Sequence, residues 1–349
     1  MLFREISSFD VLHGELEWPW ITFAASGDRL AFASSASTIA TRSLEADRVV
    51  EGPSFSLPPD LHLGGQGGSR GLSAFSISAH RDAPVLALAG TTADGDVISI
   101  VDPSGERRVR LDSLVGAGHV VKATAFDRSG ARLWLSTETE TETVTALLAT
   151  DALAIVGVIR SPAFPRPALH ELHVHPQDDA VLLLAACGEE GTFARVVGYA
   201  GDVVSQVPGA LDSGAVAAGF VGFSVDGARV HLVEADELRT HAWPTLHELS
   251  SVPLADDFIS SFSGAVLGGE IFVDGEDAET RQDAVMLFDR AAIHGAVAPP
   301  PAPVGMWAGR LGERAIVTIQ AKGDPVPARV LVRTTDGPTK AFGAKRILS

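Results

Sequence analysis

Residues 170–175 run His-Glu-Leu-His-Val-His. On a β-strand, side chains alternate in direction, so Glu171, His173 and His175 fall on one face while Leu172 and Val174 take the other. Two imidazoles and a carboxylate are ligand types that zinc or iron accepts, which makes these three the candidate metal ligands. Same-face neighbours on a strand stand roughly 7 Å apart, so Glu171 and His175 are too widely spread to clamp one ion easily. His80 and His119 are the further histidines that a site shared between distant segments would use. The competing structural reading places these polar residues in the packing between neighbouring sheets. The spacing is not that of His-Glu-x-x-His, and no helix carries it.

Other candidates are weaker. Thr137-Glu-Thr-Glu-Thr-Glu-Thr143 offers carboxylate oxygens to calcium, but it lacks the glycine turn of a calcium loop. A solvated hairpin edge that deters strand addition is the expected role. Asp94-Gly95-Asp96 and Asp274-Gly275-Glu276-Asp277 are expected as hairpin turns. Gly64-Gly-Gln-Gly-Gly68 has neither the Lys-Ser/Thr nor the helix of a phosphate-binding loop. No Gly-x-Ser-x-Gly elbow is present. The one cysteine, Cys187, closes the apolar run Val181–Cys187 and is expected to be a buried thiol.

The elements that position these residues are short strands. Residues 120–160 contain four in succession: Val120 to Phe126, Ala131 to Thr137, Thr143 to Thr150 and Ala152 to Arg160. A four-stranded meander cannot bury both faces alone and needs neighbours of its own kind. The chain repeats the pattern. Phe126-Asp-Arg-Ser-Gly130-Ala-Arg132-Leu133 matches Phe23 to Leu30 and Phe223 to Val230, sharing Phe-x-x-x-Gly-x-Arg-[Leu/Val]. These copies lie about a hundred residues apart, twice a single unit, and weaker copies at Phe75–Leu88 and Val174–Leu183 fill the gaps. Two degenerate copies follow at Ser260–Asp274 and Val304–Gln320.

Seven such units of roughly 43 to 52 residues resemble a seven-bladed β-propeller of the WD40-like or quinoprotein-like kind. The marks of true WD40 repeats, Trp-Asp closing a blade and Gly-His before a first strand, are read as missing, so the resemblance is one of architecture. It implies an all-β fold, a single propeller domain over residues 1–349 built of four-stranded antiparallel blades. The blades fall at about 15–60, 68–112, 118–160, 166–208, 215–255, 257–300 and 303–349. Residues 2–12 are expected as a closing strand beside Arg329 to Thr334, with Ala341 to Leu348 the competing candidate. The tryptophans Trp18, Trp20, Trp134, Trp243 and Trp307 are assigned to core or blade packing.

A hydrophobic content of 46% with 20% charged residues suits a globular core. A formal charge of −17 argues against nucleic acid and favours a basic protein partner. Arg107, Arg108 and Arg110 are the densest basic group and are assigned to a solvated turn. No apolar run approaches a membrane span, and the N-terminus lacks the apolar stretch of a signal peptide. The expected setting is cytoplasmic, with no cofactor. The sequence therefore favours a non-enzymatic interaction scaffold, a subunit or adaptor of a larger assembly. Its alternative is a metal-dependent lactonase or hydrolase with ligands in a central channel.

Overall fold

The computed structural model describes residues 3–11, 21–23, 29–35, 38–46, 48–63, 77–165, 168–207, 218–267, 270–281, 283–288, 306–311, 315–320 and 328–335. Expectations for Trp18, Trp20, Gly64–Gly68 and Ala341–Leu348 fall outside these residues. Almost every described segment is a strand. After β1 (Phe3–Val11) come seven antiparallel sheets in chain order. Sheet I holds β2 (Ile21–Phe23), β3 (Arg29–Ser35), β4 (Thr38–Glu45) and β5 (Arg48–Ser56). Sheet II holds β6 (His62–Leu63), β7 (Ile77–Ala79), β8 (Leu86–Thr92), β9 (Gly95–Asp102) and β10 (Gly105–Arg110).

Sheet III is β11 (Val120–Phe126), β12 (Arg132–Glu138), β13 (Glu142–Ala149) and β14 (Ala154–Pro162). Sheet IV is β15 (Leu169–Val174), β16 (Ala180–Ala186), β17 (Thr192–Ala200) and β18 (Val203–Gln206). Sheet V is β19 (Ala218–Phe223), β20 (Arg229–Glu234), β21 (Glu237–Ala242) and β22 (Glu248–Pro253). Sheet VI is β23 (Phe258–Leu267), β24 (Glu270–Asp277) and β25 (Asp283–Phe288). Sheet VII is β26 (Met306–Leu311), β27 (Ala315–Gln320) and β28 (Ala328–Thr335), with β1 as its fourth strand.

Six sheets thus carry at least four strands, and the sheets are the four-stranded antiparallel blades of a β-propeller. The expectation of seven such blades is met at six, because sheet VI shows three strands among the described residues. β1 pairs antiparallel with β28 from Phe3 opposite Thr335 to Val11 opposite Ala328, as the sequence suggested.

The second strand of each sheet is apolar on both faces because each face meets a different neighbour. On β8, Leu86 and Leu88 pack toward sheet I, while Ala87 and Ala89 pack toward sheet III. On β12, Leu133 and Leu135 face sheet II, and Trp134 enters a cluster with Val181, Val197 and Val204 of sheet IV. Leu182 and Leu184 of β16 meet Val230 and Leu232 of β20. Val221 and Val233 of sheet V meet Ile271 and Val273 of β24. Phe272 sits with Ile316 of β27, and Leu311 and Val317 pack with Leu30 and Phe32 of sheet I.

Several local expectations shift. Arg107, Arg108 and Arg110 lie on strand β10 rather than in a turn, with Arg108 paired to Asp60 and Glu106. Asp274 to Asp277 are strand residues of β24, and Gly275 stands there because a Cβ would strike the Ile259 carbonyl of β23. One Gly-His pair does stand before a first strand: Gly118-His119 directly precedes β11. The only α-helix among the described residues, α1 (Leu111–Val115), plugs the II–III seam with Leu111 and Val115.

Candidate functional site

The three predicted ligands part company at the end of β15. The strand stops at Val174, so His175 opens the following turn instead of continuing the Glu171–His173 face. Its Nδ1 accepts the backbone N–H groups of Gln177 (3.2 Å) and Asp178 (2.7 Å), and its Nε2–H donates to the Gly227 carbonyl at 2.8 Å. The ring lies flat on Trp243, with centroids 4.6 Å apart and planes 4° apart, and edge-on to Phe223. Trp243 donates its indole N–H to Asp178 at 2.7 Å. Burial lowers the His175 pKa and outweighs the opposing effects of the Gly227 hydrogen bond and Asp178. With both nitrogens bonded, His175 is a pin between sheets IV and V.

His80 repeats this arrangement two seams earlier. Its Nδ1 accepts the N–H groups of Asp82 and Ala83, each at 3.0 Å, and its ring meets Phe126 edge-on beside Gly130. Gly130 and Gly227 have φ of 72° and 69°, and at both a Cβ would run into the imidazole opposite. The repeat's glycine therefore serves the turn and also receives the preceding sheet's histidine.

Glu171 and His173 do come together: His173 Nε2 lies 2.9 Å from Glu171 Oε2, and the imidazole stacks on Phe220 with centroids 3.7 Å apart. Burial pushes the Glu171 carboxyl up, but the hydrogen bond and charge of His173 outweigh it and hold the group below its ordinary value. Among the described residues, no group of three or more His, Cys, Asp or Glu is placed to hold a metal ion.

The densest polar arrangement lies on the two faces of the β12–β13 hairpin. On one face, Thr137 Oγ1 meets His119 Nδ1 at 3.1 Å, His119 Nε2 meets Glu142 at 3.3 Å, and Arg160 pairs with Glu142 at 2.8 Å. On the other, Ser136 Oγ meets His170 Nδ1 at 2.8 Å, and His170 Nε2 lies 3.6 Å from Glu138. Lys122 pairs with Glu138 at 3.5 Å, closing this second chain as Arg160 closes the first. Each is a hydroxyl–imidazole–carboxylate–cation series. A carboxylate facing Nε2 keeps the proton there and leaves Nδ1 to accept from the hydroxyl.

That polarity is the one that activates a nucleophilic hydroxyl. Both hydroxyls, however, belong to residues with no solvent exposure, so the series bind the hairpin to sheet IV and to its own entry loop. Burial lowers both histidines, against the raising effect of their carboxylates. Glu138 is likewise pushed up by burial but held below its ordinary value by His170 and Lys122. This corrects the reading of residues 137–143 as a wholly solvated edge: Glu140 is exposed, but Glu138 is 1% exposed.

Sequence reasoning missed Ser136, His170 and Lys122. Their only signal was a histidine opening a strand of the next unit, with a Ser-Thr-Glu run one unit earlier. Sheet V has a further acid–imidazole pair, with His241 Nε2 2.9 Å from Glu234 and Arg239 ion-paired to Glu234, Glu237 and Glu248.

No protein-family model matches the chain, and no curated protein matches it. Among solved structures, it is similar to one from a structural and mechanistic study of two prolyl endopeptidases and the role of inter-domain dynamics in their catalysis and specificity. The TM-score is 0.53 at 10% identity, covering 95% of this chain and 46% of that one. The chain therefore spans less than half of that protein, and the likeness supports the β-propeller fold alone.

Proposed function

We propose that the seven sheets are seven blades of one propeller closed by β1, and that it acts as a non-enzymatic, WD40-like protein-interaction module, a subunit or adaptor of a larger assembly. The order of seams supports the first part, since each sheet packs on the next and sheet VII packs on sheet I. The observation that carries the second is Leu169, the first residue of β15, which is 63% exposed. Leu169 shares its end of the sheets with the exposed Ile259 and Phe262, and apolar side chains grouped on a rigid scaffold mark contact surfaces. The buried free thiol Cys187 supports a reducing, cytoplasmic setting. Among the described residues no helix is long and apolar enough to cross a membrane.

The test is affinity purification from the native host with mass spectrometry and metal analysis of the same sample. A stoichiometric protein partner without metal is the expected result. Bound zinc, iron or calcium with no partner would overturn it in favour of the second reading, a metal-dependent hydrolase of the lactonase type. The Glu171–His173 pair favours that second reading, and its metal would be lost in Glu171→Gln.

A further inference from the structure

Leu169 belongs to an arc of features at one end of sheets IV, V and VI. Strand register puts Leu169 opposite Ala186, Ala218 opposite Glu234, and Ile259 opposite Glu276, so the three first strands begin beside the turns that follow their second strands. Sheets IV and V are tied at this end, because the Ala218 N–H donates to Thr192 Oγ1 (3.0 Å) and that hydroxyl donates back to the Ala218 carbonyl (3.2 Å). Sheets V and VI are tied by direct backbone contact: a Cβ on Gly219 would land on the Phe262 carbonyl.

Phe262 itself is unusual. It lies in a bulge of β23 between Ser260 and Ser263, with φ of 54°, and its N–H is held by Ser260 Oγ at 3.0 Å. A phenylalanine in the left-handed region is strained. Here the strain turns the ring outward, 38% exposed, alongside Ile259 at 43% and Leu169 at 63%.

Among the described residues, acidic side chains predominate around this arc. Glu189, Glu190 and Asp236 are exposed on the adjoining turns, and Asp256 and Asp257 are exposed just before β23. Among the described residues, cations at this end are paired: Arg239 with Glu234, Glu237 and Glu248, Arg281 with Glu276, and Lys122 with Glu138 while it donates to the Ala168 carbonyl. The opposite end mixes signs, with Arg132 joining Asp127 to Asp179 between two sheets.

We infer that the arc of Leu169, Ile259 and Phe262 is a docking surface for a basic, apolar-anchored segment of another protein, in which Lys or Arg flanks large apolar side chains. The inference rests on the interaction-module reading and names its face and the partner's chemistry. Exposed apolar side chains flanked by acidic turns select by contact and by charge, and the acidic groups steer association.

The test uses the full chain and two fluorescein-labelled synthetic peptides of equal length and apolar content, one of Leu and Lys and one of Leu and Glu, read by anisotropy. The Leu/Lys peptide should bind at least tenfold more tightly, and its affinity should fall as salt rises. Phe262→Gly removes the ring while keeping a backbone that glycine adopts freely, and Leu169→Ser removes the second anchor. Each should weaken binding about tenfold, as loss of a central anchor does. Val225→Ser, at an exposed valine in the turn at the other end of sheet V, should change nothing.

Equal binding of the two peptides, or binding insensitive to Phe262→Gly and Leu169→Ser, would overturn the inference. A host partner captured equally well by wild type and Phe262→Gly would leave the module reading standing and this surface refuted. Peptide binding that obeys the variants, with no host partner captured, would support the surface and refute the module.

Discussion

The Nε2–H of His175 donates to the carbonyl oxygen of Gly227 across 2.8 Å, joining the first turn of sheet IV to the first turn of sheet V. His80 against Gly130 is its counterpart between sheets II and III. The glycines are needed twice over, for positive φ and for room. Gly227→Ala should cost about 1–2 kcal/mol for the left-handed backbone alone, and more for the displaced ring. Gly130→Ala should cost more than Gly227→Ala, because there the added Cβ falls on the imidazole nitrogen itself. His80→Ala in the Gly130→Ala background should recover part of that loss. Urea unfolding midpoints of the three variants decide this, and two single variants within about 0.5 kcal/mol of wild type would refute it.

Acid should destabilise the fold well before the carboxylates titrate. Burial, with the positive charges of Arg229 and His241, lowers His231 to about 4. The folded state therefore holds His231 neutral, while the unfolded chain takes up a proton below about pH 6.5. Stability from this group is fully present above about 6.5 and is lost as pH falls toward 4, amounting to roughly 3 kcal/mol. His80, His119, His170 and His175 are lowered by burial too and add with the same sign. Melting temperatures between pH 7.5 and 4.5 should fall steadily, and less steeply in His231→Asn. A flat profile from pH 7 to 5 would contradict the assignment.

Two members of the Ser136–His170–Glu138 series should respond unequally to truncation. Removing the Ser136 hydroxyl takes away one buried hydrogen bond, so Ser136→Ala should cost about 1 kcal/mol. His170→Ala removes the group between Ser136 and the buried Glu138 carboxylate, which should cost about 3 kcal/mol. Calorimetry of both variants checks the order, and an equal loss would mean that His170 contributes only volume.

The thiol should be inert in the native protein. Burial, with Glu138 and Glu190 nearby, pushes Cys187 up to about 11. A disulfide reagent at pH 8 should therefore find no reactive thiol until denaturant is added, and then one. Rapid native labelling would show that the segment at the end of β16 opens.

The strands were legible because their signals are local. Phe126, Gly130, Arg132 and Leu133 recur with fixed spacing, and β11 spans Val120–Phe126, the bounds the pattern gave. The β1–β28 pairing was anticipated because residues 2–12 read as a strand without a repeat partner and the propeller resemblance implies a blade joined from both chain ends. The polar residues were not legible, because their partners lie one whole sheet away. Nothing near His175 in sequence announces that Gln177 and Asp178 will turn their N–H groups back onto its ring, or that Gly227 will receive its proton. Glu138 resembled its exposed neighbour Glu140, and only the seam that brings His170 and Lys122 to it tells the two apart.

The pairing of β1 with β28 also sets a schedule for synthesis. Residues 3–11 leave the ribosome long before their partner, residues 328–335, so β1 waits for β28. At ordinary elongation rates that interval is on the order of tens of seconds, in which sheets I to VI can form one after another. The nascent protein carries an unmated strand throughout. The charged and hydroxyl residues Arg4, Glu5, Ser7, Ser8 and Asp10 keep that strand soluble until its mate arrives.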